Sequence, residues 1–147
     1  MWTRCTPTEY QILELLMRIK REQGTSLIFV SHNLAVVRML CERVLVMYLG
    51  REVESGPTGS VFGAPRHPYT RMLLESVPLL DPERERARLA ALSATGDTPS
   101  PVDRPEGCAF RTRCPAALPA CAGRRPEPEA VENSHRVACL RWRELAN

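Results

Sequence analysis

The chain has 147 residues, of which 44% are hydrophobic and 25% charged, and its formal net charge is +3. This length suits one ordinary domain with a usable core, and so small a charge gives no argument for a nucleic-acid partner. The sequence contains no apolar run of the roughly 18 to 20 residues that a membrane span needs. The first ten residues, MWTRCTPTEY, lack the apolar segment of a secretory signal. We therefore expect the six cysteines in a reducing compartment, where metal binding is favoured over disulfides.

A helix is predicted near the N-terminus because apolar residues recur there at helical spacing. These residues are Ile12, Leu13, Leu15, Leu16 and Ile19. Thr8 is a suitable N-cap, and Gly24 is a suitable end after the basic residues Lys20 and Arg21. We expect this helix to pack against a sheet and to lead into the strand that follows.

The next stretch predicts a strand, a polar switch, a short helix and a second strand. Leu27–Val30 is a continuous apolar run of the kind found in strands buried in a parallel sheet. Ser31 and Asn33 are residues that begin helices, and they flank His32. The second strand is predicted over Val44–Tyr48. Because ligands of open α/β sheets lie beyond the carboxyl ends of the strands, His32 is a candidate binding residue.

Shorter elements are predicted after the second strand. A tight turn at residues 49–51 leads to a short returning strand at 52–54, which Gly56 and Pro57 end. A helical turn follows at 60–62, and a helix over 69–77 begins after Pro68 and ends at Pro78. The charged residues 81–92 predict an exposed helix, and the Ser-, Thr- and Pro-rich residues 93–105 predict a linker.

Four cysteines lie in the last 40 residues of the chain. They are Cys108, Cys114, Cys121 and Cys139, with the spacing C-x5-C-x6-C-x17-C. A segment with so few large apolar side chains cannot stabilise itself by burial, and a metal centre would supply the missing free energy. Four thiolates suit either a tetrahedral zinc ion or a [4Fe-4S] cluster, and disulfides or free thiols are the further alternatives.

Other residues near these cysteines have weaker assignments. Arg111, Arg113, Arg124 and Arg125 are close to the cysteines in sequence and would stabilise a negatively charged cluster, although each taken singly is more often surface. His135 is expected beside the metal ligands or on the surface, and His67 is expected to fix its loop. Cys5 and Cys41 lie outside the cysteine pattern, and Cys41 is expected to act as a small hydrophobic residue.

Several motifs together resemble one known family. The SHN switch at 31–33 is followed, in this order, by RVLVMYLGREVESG, HPYTRMLL and GCAFRTRCP. Over about Gln11 to Arg141 the chain resembles the C-terminal part of the ATP-binding subunit of bacterial oligopeptide/dipeptide ABC importers. The resemblance implies an α/β fold that comprises the C-terminal section of a P-loop ABC-type nucleotide-binding domain, with its H-loop, followed by an irregular cysteine-rich tail. The implied division is 1–80 for the nucleotide-binding domain, 81–106 for a linker and 107–147 for the cysteine-rich extension.

The resemblance also implies site residues, cofactors and partners. His32 would be the catalytic switch histidine, which contacts the γ-phosphate of ATP bound with magnesium. The four cysteines of the tail would hold a [4Fe-4S] cluster. The implied partners are a second ATPase subunit, two membrane permeases and a peptide-binding protein. The subunit would lie peripherally on the cytoplasmic face of a bacterial membrane and drive import of di- or oligopeptides.

Much of the family's catalytic machinery is absent from this sequence. It contains no G-x-x-x-x-G-K-[ST], no strand ending in Asp-Glu before the first helix and no glycine-rich signature segment. We therefore expect the chain to be a truncated or misstarted product that does not hydrolyse ATP alone. Two other functions stay open from the residues: a non-enzymatic iron-sulfur or zinc-binding interaction module, and a regulatory or vestigial fragment that docks on the intact transporter.

Overall fold

The computed structural model describes residues 7–77, 86, 100, 102, 104–132 and 134–146. The chain divides into two compact units, residues 1–41 and residues 42–147, which we call the first and second units. None of the described helices is both long and apolar enough to cross a membrane.

The first unit contains two helices, α1 over Pro7–Gln23 and α2 over Leu34–Leu40. Helix α1 confirms the predicted helix, although it begins before the proposed Thr8 cap, and two residues of the predicted apolar face, Ile12 and Leu15, are exposed. Gly24 follows its last residue with a φ of +62°, the left-handed conformation in which glycine commonly terminates a helix. Leu13 is buried on the apolar face of α1.

The predicted strand at Leu27–Val30 is wrong. These four residues adopt neither helix nor strand, and the side chains of Ile28 and Val30 are 94% and 93% exposed. A strand persists only where a neighbouring strand bonds its backbone N–H and C=O groups. In the part of the chain that the structure describes, no segment forms such a ladder with Leu27–Val30, so Ile28 and Val30 stay exposed and Phe29 is only half-buried.

The second unit contains a four-stranded sheet. Its strands are β1 (Arg43–Tyr48), β2 (Arg51–Pro57), β3 (Glu129–Glu132) and β4 (His135–Val137), in the spatial order β1-β2-β4-β3. Every described strand pair is antiparallel, which agrees with the returning strand predicted at 52–54, whereas the parallel sheet expected around Leu27–Val30 is not found among the described residues. A connection as short as the one between β1 and β2 joins only antiparallel strands.

The β1–β2 connection confirms the predicted tight turn. Leu49 and Gly50 have φ values of +47° and +73°, and two consecutive residues with positive φ match the twist of a two-residue hairpin. Strand β2 extends beyond the predicted 52–54, since Gly56 still pairs with Val44. A Cβ on Gly56 would lie 2.9 Å from the Cα of His135, so glycine permits the close approach of β4.

Four short helical elements with described bounds lie in the second unit, and they confirm the two helices predicted near residues 60 and 70. They are α3 (Thr58–Gly63), α4 (Pro68–Glu75), α5 (Ala120–Gly123) and a 3-10 turn (Glu144–Ala146). The buried core comprises Val46, Tyr48, Val53, Val61, Ala109 and Phe110. The cysteine-rich segment is therefore less irregular than expected, because it contributes β3 and β4 to the sheet and Phe110 to the core.

The predicted domain boundaries at 80/81 and 106/107 stay a prediction. Residues on both sides of them pack in the second unit, where Tyr48 of β1 contacts Phe110. The exposed helix predicted over 81–92 lies outside the described residues apart from Arg86, and most of the predicted linker at 93–105 lies outside them too.

Candidate functional site

The HPY segment, which is His67-Pro68-Tyr69, starts helix α4, and its histidine caps the helix. The Nδ1 atom of His67 accepts a hydrogen bond from the backbone N–H of Tyr69 at 3.0 Å, which makes His67 the N-cap. Pro68 occupies the first helical position, where its missing N–H costs nothing. His67 is 1% exposed, and this burial lowers the pKa of His67 to about 4. The imidazole is therefore neutral near pH 7 and carries its proton on Nε2.

A fully buried carboxylate, that of Glu54, joins this segment to the sheet. Its Oε1 accepts from the backbone N–H of Arg66 at 2.6 Å and from Nε2 of His135 at 2.8 Å, and its Oε2 accepts from the backbone N–H of His67 at 3.0 Å. Burial of an ionised carboxylate costs several kcal/mol unless such partners replace its water. Glu54 thus connects β2, the loop before α4 and β4.

Sequence reasoning missed Glu54 and misplaced His135. Glu54 is 0% exposed and His135 is 2% exposed, so His135 lies neither on the surface nor among the cavity-lining residues described below. Glu52, two residues before Glu54, is half-buried and accepts a hydrogen bond from the Ser55 hydroxyl at 2.6 Å. Both glutamates lie in the motif RVLVMYLGREVESG. Nothing in this motif indicates that Glu54 would be buried and Glu52 only half-buried.

Aromatic rings pack the HPY segment against the cysteine-bearing loop. Phe110 lies at the centre, with its ring centroid 5.2 Å from Tyr48, 5.3 Å from Tyr69 and 5.9 Å from His67. The edge contact with Tyr48 is nearly perpendicular, a favourable geometry for aromatic pairs. Phe110 is two residues after Cys108, so this packing also holds the first cysteine in place.

The structure brings the four predicted cysteines of the tail to one small cavity. Cys108, Cys114, Cys121 and Cys139 all line a cavity of about 20 Å³, and all four are free thiols. The backbone N–H of Cys108 donates to the carbonyl oxygen of Cys121 at 2.8 Å. Cys121 lies on α5, and Cys139 follows β4 after one residue. Tertiary contacts thus gather residues that are up to 31 positions apart.

Gly107 permits the close approach of this loop to α5. Its φ is +69°, and a Cβ there would overlap the carbonyl oxygens of Cys121 and Ala122. A side chain at this position would therefore separate Cys108 from Cys121, since the two residues share the adjacent backbone hydrogen bond.

Burial and neighbouring backbone N–H groups shift the pKa values of the thiols in opposite directions. Loss of solvent raises the pKa of Cys108 and Cys114 and raises the pKa of Cys139 to about 11. Backbone N–H groups facing these sulfurs lower the same pKa values: those of Phe110 and Arg111 at Cys108, Ala116 at Cys114 and Arg141 at Cys139. Backbone donors to sulfur are also what stabilises a thiolate bound to a metal or a cluster.

Two arginines are among the residues that line the cysteine cavity, Arg111 and Arg141. Arg111 was among the arginines predicted to lie near the ligands, whereas Arg141 was not. Arg124 and Arg125 are exposed and do not line the cavity, and Arg125 pairs with Glu127 at 3.7 Å. Distance along the sequence was therefore a poor guide to which arginines face the thiols.

The thiols do not converge on a single ion position. Among residues 7–77, 104–132 and 134–146 and the few isolated residues that the structure describes, no group of three or more His, Cys, Asp or Glu side chains is arranged to hold one metal ion. The binding of a metal or cluster by these cysteines stays a prediction.

His32 lies in the first unit and is exposed. The Oδ1 of Asn33 accepts from the backbone N–H groups of Ala35 and Val36 at 3.2 and 3.4 Å, so Asn33 is the N-cap of α2 as expected. The Ser31 hydroxyl in turn accepts from the Asn33 N–H at 3.0 Å. This local cap determines the backbone on either side of His32, and its role as a switch histidine stays a prediction.

Part of the chain matches a known protein family. Residues 53–121 match the family described as the oligopeptide/dipeptide transporter, C-terminal region. This range includes most of β2 with Glu54, the HPY segment and three of the four cysteines. The predicted resemblance is confirmed.

The curated relatives extend the match beyond that region. The oligopeptide transport ATP-binding protein OppF of Escherichia coli (strain K12) is 49% identical over 131 residues, which are 89% of this chain and 39% of OppF. OppF of Haemophilus influenzae is 47% identical over 131 residues. The putative oligopeptide transport ATP-binding protein YkfD of Bacillus subtilis is 43% identical over 133 residues, 90% of this chain and 40% of YkfD. The chain thus spans about two fifths of the length of these relatives.

Proposed function

We propose that the chain acts as the C-terminal part of the ATP-binding subunit of a bacterial importer of di- or oligopeptides. The observation that carries this proposal is the 49% identity to an oligopeptide transport ATP-binding protein over 89% of the chain. In such a subunit, ATP and magnesium bind at the nucleotide site. The partners are a second ATPase subunit, two membrane permeases and a peptide-binding protein, and the assembly places the subunit on the cytoplasmic face of the membrane.

His32 has a defined task in this proposal. The imidazole of His32, which follows Leu27–Val30 in the sequence, would hydrogen-bond the γ-phosphate of ATP and help to align the attacking water. Phosphoryl transfer depends mainly on such positioning and charge stabilisation. The phosphate loop, the magnesium-binding carboxylate and the signature segment are not in these 147 residues. We therefore expect the chain by itself to show no protein-dependent turnover of Mg-ATP.

A chimera tests this function directly. The matching 131 residues of E. coli OppF are replaced by those of this chain, and uptake of a labelled tripeptide is measured in cells that lack OppF. Restored uptake is expected, and His32→Ala should reduce it about 100-fold or more, the usual cost of removing one donor to the reacting oxyanion. Asn33→Ser is the matched control because serine also caps a helix. A chimera that accumulates normally but imports no peptide would refute the proposal.

The cysteine cavity is proposed to hold a [4Fe-4S] cluster through Cys108, Cys114, Cys121 and Cys139. The donor set suits such a group, because four free thiols line one cavity and backbone N–H groups face three of the sulfurs. When bound, the cluster cross-links four segments and supplies folding free energy. The protein's own part is to present deprotonated sulfurs, to donate hydrogen bonds to them and to limit access of water.

Metal analysis of the full chain tests the cluster. After anaerobic reconstitution, we expect about four iron atoms and four sulfides per chain and absorbance near 400 nm. Cys114→Ser should lower the bound iron severalfold, whereas Cys41→Ser, which changes a half-buried cysteine of the other unit, should leave it unchanged. Stoichiometric zinc without iron would replace the cluster by a zinc site, and a chain that binds neither metal would refute both assignments.

A second candidate function is a non-enzymatic metal-binding interaction module. It is favoured by the location of all four cysteines in the second unit, which does not contain His32. A chain that binds iron or zinc but whose chimera restores no peptide uptake would support this function over the first.

A further inference from the structure

Arg141 is held beside the cysteine cavity by bonds on two sides. Its Nη1 donates to the carbonyl oxygen of Ala116 at 2.7 Å, and its Nε donates to Oε2 of Glu144 at 2.8 Å. Ala116 is two residues after Cys114, and Arg141 itself is two residues after Cys139. The guanidinium therefore joins the loop of one cysteine to the turn that carries another.

The charges around this cavity are few among the described residues. Its walls include only two charged side chains, those of Arg111 and Arg141. The Nη1 of Arg111 donates to the carbonyl oxygen of Glu106 at 2.6 Å. Glu144 binds Arg141 but does not itself line the cavity, and its side chain is 61% exposed. Water screens its charge more than it screens a charge at the cavity wall.

This arrangement has a consequence for any cluster held by four thiolates. A [4Fe-4S] centre with four thiolate ligands is negatively charged, and one-electron reduction adds a further negative charge. A fixed positive charge nearby stabilises the reduced form more than the oxidised form, so it raises the reduction potential. The two hydrogen bonds of Arg141 keep its charge in place instead of leaving it to sample the solvent.

We propose that Arg141 is a positioning residue for the cysteine-bound cluster: it clamps the Cys114 loop to the Cys139 turn and raises the reduction potential of the cluster. This inference rests on the proposed cluster. It assigns to one side chain both the retention of the cluster and its potential.

The test compares four full-length chains after anaerobic reconstitution with ferrous iron and sulfide: wild type, Arg141→Gln, Arg141→Lys and Arg143→Gln. Two quantities are measured, the rate of iron loss to a chelator and the midpoint potential in a dithionite titration. Arg143→Gln is the matched control, since Arg143 is 70% exposed, binds Glu129 at 3.1 Å and does not line the cavity. It removes the same charge two residues away.

Arg141→Gln should lose iron about tenfold faster than wild type or more, the usual cost of removing a hydrogen-bonding partner next to metal ligands. Its midpoint potential should be lower than that of Arg143→Gln. Arg141→Lys should recover much of the potential, because it restores the charge, but little of the retention, because one ammonium group cannot reproduce both bonds of the guanidinium. If Arg141 had only a structural role, its substitution would change the rate of iron loss, but the midpoint potential would not be lowered by glutamine and restored by lysine.

The outcomes separate this inference from the function on which it rests. If wild type binds iron and sulfide but Arg141→Gln and Arg143→Gln share one potential, the role of Arg141 is overturned and the cluster stands. If Arg141→Gln binds too little iron for a full titration, the potential of its residual cluster is read by electron paramagnetic resonance of the reduced form, and a value equal to that of Arg143→Gln overturns the role. A wild-type chain without iron would overturn the cluster and this inference together.

Discussion

The two units of the chain differ in which side chains they bury: the first leaves apolar side chains exposed, and the second buries polar ones. In the first unit, the apolar side chains of Ile28 and Val30 are 94% and 93% exposed. In the second unit, the carboxylate of Glu54 and the imidazole of His135 are 0% and 2% exposed. Whether a side chain is buried here therefore depends more on the hydrogen-bonding and packing partners around it than on its residue type. Glu54 has three hydrogen-bond donors around it, whereas the backbone of Leu27–Val30 has no neighbouring strand among the described residues.

The same contrast applies to the residues proposed to carry function. His32 is exposed, and its surroundings are determined by the local cap at Asn33. The cysteines occupy their cavity because distant segments pack on one another around Phe110 and Glu54. Substitutions in the second unit should therefore cost far more stability than chemically similar substitutions in the first.

The largest effect is expected for Glu54→Ala. This change leaves the His135 ring and two backbone N–H groups buried without their acceptor. Each buried donor left unsatisfied costs about 1 to 3 kcal/mol, so the unfolding free energy should fall by about 3 kcal/mol or more. Urea unfolding measures the loss. Glu52→Ala, on the same strand but half-buried, is the control and should cost less than about 1 kcal/mol. Equal losses for the two variants would show that the buried network is not what stabilises the second unit.

The next effect is a pH dependence that arises from His67. Its pKa is about 4 in the folded chain and about 6.5 when exposed. Between these values the unfolded chain binds a proton that the folded chain does not, so stability should fall as the pH decreases from about 6.5 to 4. The expected loss from this residue is about 3 kcal/mol.

His67→Asn isolates that contribution. Asparagine retains an acceptor for the N–H of Tyr69 but does not titrate. The free energy of unfolding, measured at pH 7 and at pH 4, should decrease less for the variant than for wild type, and the difference between the two decreases is the contribution of His67. If wild type and variant decline in parallel, acid sensitivity comes from other groups.

The smallest effect comes from a matched pair of valines. Val137 on β4 is 0% exposed, and Val30 is 93% exposed. Val137→Thr buries a hydroxyl group and should cost about 1 to 3 kcal/mol, whereas Val30→Thr should change the unfolding free energy by less than about 0.5 kcal/mol. Chemical denaturation of both variants checks this. A cost above 1 kcal/mol for Val30→Thr would mean that the run is covered in solution.

Local patterns predicted most of the individual elements. Helix α1 follows from apolar spacing, α2 from the cap at Asn33, α4 from His67-Pro68 and the hairpin turn from Leu49-Gly50. In each case the cause lies within a few residues, in a cap, a fixed φ or a face to bury. The four cysteines were also found, because four thiols at close spacing in a segment with little apolar surface indicate shared chemistry.

The sequence by itself determined the family resemblance, the short elements and the set of cysteines, since each depends on residue identity or local backbone preference. Only the tertiary structure decided that Leu27–Val30 is not a strand, that Glu54 is buried, and that Arg141 rather than Arg124 or Arg125 faces the thiols. These properties depend on segments far apart in the chain. A strand needs a neighbour and a buried charge needs donors, and no local pattern specifies where either will come from.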